Sequence, residues 1–277
     1  MTLTRSAVSQ LLEQHGLAPS RALGQNFVVD PNTVRRIARL ANVGPSDHVV
    51  EIGAGLGSLT LALRETGAAV TAIEIDRGLV PILRSQAEPA GARVVEGDAL
   101  HLDWDELLAG HSPWVLVANL PYNVATPLVA TILDDVPAIA RMLVMVQSEV
   151  AARLAAKPRT KAYGAVSVKV AYWATAAVVG HVPPSVFLPR PNVDSALVQI
   201  QRRPQPAVDP DRVSPEELFE LVRAGFGKRR KMLRSALADR VTAAQFESAG
   251  VAPTSRAEEL DVEAWGRLAA AARGSLP

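Results

Sequence analysis

The clearest helical pattern near the start of the chain places Val34, Ile37, Ala38 and Ala41 on one face. Asp30 stands ahead of it as a cap, with Pro31 at the first helical position. A short helix over Ser6–His15 precedes this, followed by a loop at Gly16–Ser20. Arg21–Val29, which contains Gly24-Gln25-Asn26-Phe27, reads as a second loop. The pattern then changes to short apolar runs. Val49–Ile52, Ala69–Ile75, Arg93–Glu96, Trp114–Ala118 and Met142–Val146 predict strands. Helices at Leu59–Thr66, closed by Gly67, and at Gly78–Gln86 separate the first of them. Strands that are apolar along their length and alternate with helices point to a parallel sheet covered on both faces. Ala165–Trp173 predicts a helix, and Ala176–Val182 with Ala196–Gln201 predict a hairpin-like antiparallel edge.

Proline and aspartate gather in Pro204–Pro215, which reads as a linker. Beyond it, helices are expected over Pro215–Arg223, Lys231–Arg240, Ala243–Ala249 and Val262–Ala272. Ser214 can cap the first, with Glu217 at capping-box spacing. The chain thus divides near residue 205 into an α/β domain, 1–205, and a small helical domain, 206–277.

Composition narrows the chemistry. The 277 residues are 48% hydrophobic, ample for a buried core. There is no cysteine, which excludes disulfides, thiolate metal sites and cysteine nucleophiles. The five histidines never fall at metal-ligand spacing, so no metal is expected. No apolar run approaches the ~20 residues of a membrane span, and the N-terminus lacks the apolar core of a secretory signal. Cytoplasmic residence without membrane contact is the expectation. The net charge of +1 hides a basic stretch: Arg223, Lys228, Arg229, Arg230, Lys231 and Arg234 lie within twelve residues. Such a stretch can bind a polyanion or can be a solvated helix face.

Two motifs sit at predicted strand ends. Glu51-Ile52-Gly53-Ala54-Gly55-Leu56-Gly57 places glycines after the first sheet strand, where a tight turn lets backbone amides approach a ligand. The G-x-G-x-G spacing differs from the G-x-G-x-x-G of dinucleotide binders. Glu74 ends the next strand, where a carboxylate can accept both ribose hydroxyls of an adenosine. Asp98 follows the third and can accept from an adenine amino group. Either acid could instead be a helix cap. The second motif, Asn119-Leu120-Pro121-Tyr122, follows the strand Trp114–Ala118. A carboxamide, a stiff turn and an aromatic ring at a strand mouth suit chemistry on a planar amino group. The two motifs together point to methyl transfer onto a nucleobase nitrogen.

With these residues in view, the chain resembles the ribosomal RNA adenine N6,N6-dimethyltransferases of the KsgA (RsmA) type, over nearly its whole length. The resemblance rests on Gly24–Phe27, Glu51–Gly57, Ala72–Asp76, Gly97–Ala99, Asn119–Thr126, Val182–Pro189, Val193–Ala196 and the basic stretch Phe226–Arg234. It implies a Rossmann-like class I methyltransferase domain with a mostly parallel sheet and a helical C-terminal RNA-binding domain. It also implies S-adenosyl-L-methionine as cofactor, held by Asn26, the backbone at Val28, Gly53, Glu74, Asp98 and Asn119. Catalysis would fall to Asn119, Leu120, Pro121, Tyr122 and Phe187, with Tyr122 and Phe187 sandwiching a flipped adenine. Read as residues alone, Asn26 could be a turn former, Tyr122 a strand-end packing residue and Phe187 a core aromatic. Two positions depart from the family pattern. Ala125 stands where serine is usual, and Ala54 where the glycine turn often carries proline.

The substrate implied is two adjacent adenosines in the 3′-terminal hairpin of 16S rRNA, modified in the assembling 30S subunit by a monomer. Alternatives are an Erm-type 23S rRNA methyltransferase conferring antibiotic resistance and a non-catalytic RNA-binding assembly factor. The Leu120 form of the motif and the long helical tail favour the first reading. A nicotinamide oxidoreductase is disfavoured by the glycine spacing and leaves Asn119–Tyr122 without a role.

Overall fold

The computed structural model describes residues 2–121 and 124–273. The chain begins with α1 (Arg5–Gln14), β1 (Phe27–Val28) and α2 (Pro31–Ala41). Asp30 caps α2, accepting from the Thr33 amide at 2.8 Å. The α/β alternation follows as β2 (His48–Ile52), α3 (Ser58–Arg64), β3 (Ala69–Glu74), α4 (Val80–Ala87), β4 (Arg93–Glu96), α5 (Trp104–Leu107), β5 (Trp114–Asn119), α6 (Ala125–Asp135) and β6 (Ile139–Gln147). Next come α7 (Ser148–Leu154), α8 (Ala165–Trp173), β7 (Ala174–Val182), β8 (Phe187–Leu188) and β9 (Ser195–Arg202). The chain ends in α9 (Pro215–Gly227), α10 (Leu233–Ala236), α11 (Ala243–Ser248) and α12 (Val262–Ala272).

Among the described residues, seven strands form one sheet in the order β4-β3-β2-β5-β6-β9-β7. The ladders β4–β3, β3–β2, β2–β5 and β5–β6 are parallel, and β6–β9 is antiparallel. The chain builds outward from β2 to β4, then returns to lay β5 beside β2. Strand order therefore reverses between β2 and β5, and the crevice at their carboxyl ends is where such sheets bind ligands. The expected hairpin-like edge is a longer excursion. β9 lies between β6 and β7, and β8 leaves the sheet to pair with β1.

The chain separates into two compact units, Met1–Ala151 with Ala177–Gln201, and Ala152–Ala176 with Arg202–Pro277. The boundary expected near residue 205 thus misses one segment. Val168 and Tyr172 on α8 join the core built by α9 and α12, so Ala152–Ala176 belongs to the helical unit. Among the described residues, buried clusters on different parts of the first unit stabilise it. One joins α2, α3 and α4 to the sheet, and another packs Val8 and Leu12 of α1 against Phe27, Leu56, Leu79 and Ile82.

In the helical unit, Ser214 and Glu217 form the expected capping box, with bonds of 3.2 and 2.9 Å. The helix expected over Lys231–Arg240 shrinks to Leu233–Ala236. The Leu233 and Arg234 amides donate to Ser255 and Pro253 carbonyls, and Met232 bridges Arg256. Pairing with that distant segment displaces the first turn of the predicted helix. Among the described residues no helix is long and apolar enough to cross a membrane.

Candidate active site

The glycine turn after β2 depends on backbone freedom. Gly53, Gly55 and Gly57 have φ of +72°, +58° and +89°, a region that L side chains rarely adopt. A Cβ at Gly55 would also meet the Phe27 ring at 3.1 Å. The turn opens on a cleft with two adjoining lobes of about 750 and 640 Å³. Leu23, Gly53, Ile75 and Pro121 line both lobes.

Glu74 lies at the end of β3 in the first lobe, buried. Its two carboxylate oxygens accept from the Gly55 amide at 2.7 Å and the Asp76 amide at 2.9 Å. A carboxylate has about four acceptor positions, and with the Ile75 amide also bearing on this one, acceptor capacity remains for a ligand hydroxyl. Burial pushes its pKa upward against those hydrogen bonds. Asp98 lines the second lobe, where the Leu100 amide at 3.0 Å and His101 Nδ1 at 2.9 Å hold its carboxyl below the usual range, the amide contributing most. The helix-cap alternative holds for neither acid. The residue capping α4 is Leu79, and the residue capping α5 is Asp103.

Asn119 ends β5 across from Gly53. Its Nδ2 donates to the Asn26 carbonyl at 3.0 Å. A carbonyl only accepts, so this bond fixes the amide's orientation and leaves Oδ1 as an acceptor in the cleft. Asn26 is held by its own Nδ2, which donates to the Gly24 carbonyl at 3.0 Å in the turn it was suspected to form. The Pro121 carbonyl accepts from the Val124 and Ala125 amides at 3.2 and 3.1 Å as α6 starts. With both lone pairs engaged there, the carbonyl suited to a ligand amine is that of Leu120. Ala125 is fully buried in the first turn of α6.

The cover of the cleft comes from the N-terminal segment. β1 pairs antiparallel with β8, Phe27 opposite Leu188 and Val28 opposite Phe187. Leu23, Gly24, Gln25, Asn26, Phe27 and Val28 all line the first lobe. The loop predicted over Arg21–Val29 therefore contains a strand that sequence patterning did not suggest. Arg5 on α1 donates to the Ser185 and Phe187 carbonyls at 2.8 and 3.1 Å and braces the other strand.

Phe187 is not among the residues lining either lobe. The residue is 1% exposed and clusters with Val28 and Val186 in the core under α2, α3 and α4. Tyr122 lies outside the described residues. Ile75 and Glu51 are among the cleft residues to which the sequence assigned no role. Ile75, 46% exposed, presents an apolar face to both lobes. Its signal was an apolar residue directly after a strand-end acid. Glu51 is 1% exposed on the floor of the first lobe, where it accepts from the Thr60 hydroxyl at 2.5 Å. Burial pushes its pKa up to about 8.

In the helical unit, Arg223, Lys228, Arg230, Lys231 and Arg234 are exposed. Arg229 is not available in the same way. Its Nε pairs with Glu258 at 2.5 Å and its guanidinium donates to the Lys161 carbonyl at 2.9 Å. These contacts tie Arg229 to Glu258 and Lys161 within this unit.

Comparison with known proteins agrees with this geometry. The family model described as "Ribosomal RNA adenine dimethylase" matches residues 18–273. The Ribosomal RNA small subunit methyltransferase A of Cutibacterium acnes is 48% identical, covering 94% of this chain and 91% of the relative. Its namesake from Thermobifida fusca is also 48% identical, covering 96% and 95%. Among solved structures, the 23S rRNA methyltransferase ErmE has a TM-score of 0.68 at 27% identity, covering 88% of this chain and 98% of that one. A dimethyladenosine transferase from Plasmodium falciparum has a TM-score of 0.73 at 23% identity, covering 86% and 94%, and shares the fold. The glycine cradle, strand-end acids and oriented carboxamide fit S-adenosylmethionine, and the chain belongs to the ribosomal RNA adenine dimethylase family, the S-adenosylmethionine-dependent methyltransferases of ribosomal RNA adenine.

Proposed function

We propose that this protein dimethylates N6 of two adjacent adenosines in the 3′-terminal hairpin of 16S rRNA during assembly of the 30S subunit. Relatives named for the small subunit are 48% identical, whereas the large-subunit enzyme ErmE is 27% identical. The reading includes a monomer working in the cytoplasm. The observation that carries the chemistry is the Asn119 carboxamide, whose Nδ2 is spent on the Asn26 carbonyl.

Adenine N6 is a poor nucleophile because its lone pair is delocalised into the ring. Asn119 Oδ1 accepts one N6 proton and the Leu120 carbonyl accepts the other. Those two acceptors draw the nitrogen toward tetrahedral geometry and free its lone pair. S-adenosylmethionine, when bound, supplies the electrophilic methyl group. The methylated nitrogen is acidic enough to lose its proton without a dedicated base. Positioning of this kind can contribute ~7–11 kcal/mol. Asn26, the Val28 backbone, Gly53, Glu74 and Asp98 hold the cofactor, and Ile75 packs on its adenine. Tyr122 stacks on the extruded base, offsetting part of the few kcal/mol needed to unstack it. Arg223, Lys228, Arg230, Lys231 and Arg234 meet RNA phosphates.

Asn119→Ala tests the assignment. It should lower the single-turnover rate of methyl transfer by roughly 10²–10³, the range for loss of one oriented polar group, and leave RNA affinity intact. Equal turnover by variant and parent would refute the role given to the carboxamide.

A further inference from the structure

The segment covering the cleft is held at its two ends by different means. At the β1 end, the ladder to β8 and the Arg5 bonds hold Phe27 and Val28. Toward the other end, beside the Asn119 bond to the Asn26 carbonyl, the Gln25 side chain reaches across to the strand-end acids. Gln25 Oε1 accepts from the Ser20 amide at 2.7 Å, while its own amide donates to the Ser20 carbonyl at 3.1 Å. That closes the loop on itself and sets the plane of the side-chain amide. Gln25 Nε2 then donates to Asp76 Oδ2 at 2.7 Å.

Asp76 is equally constrained. Its Oδ1 accepts from the Gly78 amide at 2.9 Å, and its own amide donates to Glu74 Oε1 at 2.9 Å. Glu74 Oε2 in turn accepts from the Gly55 amide. An unbroken series of bonds thus runs from the covering loop, through both acids, to the glycine turn. Only a side chain carrying an acceptor and a donor on one short planar group can join a backbone N–H to a carboxylate here. Glutamate would set two carboxylates against each other, and an aliphatic residue would join nothing. A neutral donor on a carboxylate is also a charge-assisted bond, among the stronger kinds.

We propose that Gln25 is a positioning residue, a latch that closes the N-terminal cover onto Asp76 and sets how fast cofactor leaves the cleft. The proposal rests on the cofactor reading given above. It suits an enzyme that adds two methyl groups to each adenosine, since spent cofactor must leave between transfers while the cover stays ordered during each one.

A charge swap tests it, using S-adenosylhomocysteine as the probe. Its dissociation rate is measured by stopped-flow fluorescence. Amide hydrogen exchange over residues 20–28 is measured on the cofactor-free full chain. Gln25→Glu should speed both at least about tenfold through like-charge repulsion, and Gln25→Ala should speed both through loss of the bond. The double variant Gln25→Glu with Asp76→Asn re-forms the bond with donor and acceptor exchanged, and should return both readouts to within about threefold of the parent. A residue that merely helps the loop fold would not show this reciprocal rescue. The latch is overturned if Gln25→Glu releases the probe at the parental rate, or if the double variant is no better than Gln25→Glu alone. Failure of the parent to bind the probe overturns the cofactor reading instead, and the exchange data then judge the latch independently.

Discussion

Glu51 offers a quantitative handle on the electrostatics of the cleft. It is 1% exposed, and burial lifts its pKa from 4.5 to about 8, the neighbouring Glu74 adding to the rise and the Thr60 hydroxyl opposing it. The sign of the pH effect follows. Between those values the unfolded chain has released the proton while the native chain retains it. Native protein therefore binds more protons, and stability falls as pH rises through the window. The full rise corresponds to about 5 kcal/mol, lost progressively between about pH 4.5 and 8. Glu51→Gln keeps the shape and an acceptor for Thr60 but has no charge to desolvate. The variant should match the parent near pH 5 and exceed it by about 3–5 kcal/mol near pH 8. Denaturant unfolding of both proteins at several pH values, followed by circular dichroism, gives the difference directly. Parallel stability–pH curves for the two proteins would show that Glu51 ionises normally in the native state, and the account of the cleft floor would fall.

Two further substitutions probe geometry and surface. Gly55→Ala places a Cβ 3.1 Å from the Phe27 ring at a φ of +58°. It should lower stability by about 1–2 kcal/mol and weaken cofactor binding, measured by thermal melts and titration calorimetry. An unchanged affinity would show that the cover can shift freely. In the helical unit, replacing Lys228, Arg230 and Lys231 by alanine should reduce the salt slope of RNA binding by about one per lost phosphate contact. Arg229→Ala should instead lower thermal stability with little effect on that slope, because its charge is already paired with Glu258. The reverse pattern would make Arg229 the RNA ligand and the other three bystanders.

Much of this fold was readable because the interactions involved are local. Asp30 with Pro31, and Ser214 with Glu217, are capping signals spanning two and four residues, and each starts a helix where expected. The runs of β2, β3, β5 and β6 were visible because strands buried on both faces are largely apolar. What escaped depends on distant partners. Two residues of β1 carry no periodicity and become a strand only because β8 lies beside them. The Lys231–Arg240 pattern was helical, yet Ser255 and Pro253 take the first amides. At the site, glycines, acids and Asn119 were legible as residue types at strand ends. The joining of Gln25 to Asp76 was not, since it is set by the path of the N-terminal cover.

The central claim is that this cleft dimethylates adenosine in small-subunit RNA, and nucleoside mass spectrometry tests it most directly. Unmethylated small and large ribosomal subunits are incubated separately with the protein and isotopically labelled S-adenosylmethionine, then digested. Labelled N6,N6-dimethyladenosine confined to the two adjacent hairpin positions of the small-subunit RNA is the predicted result. The same nucleoside in large-subunit RNA, or none in either, would contradict the account.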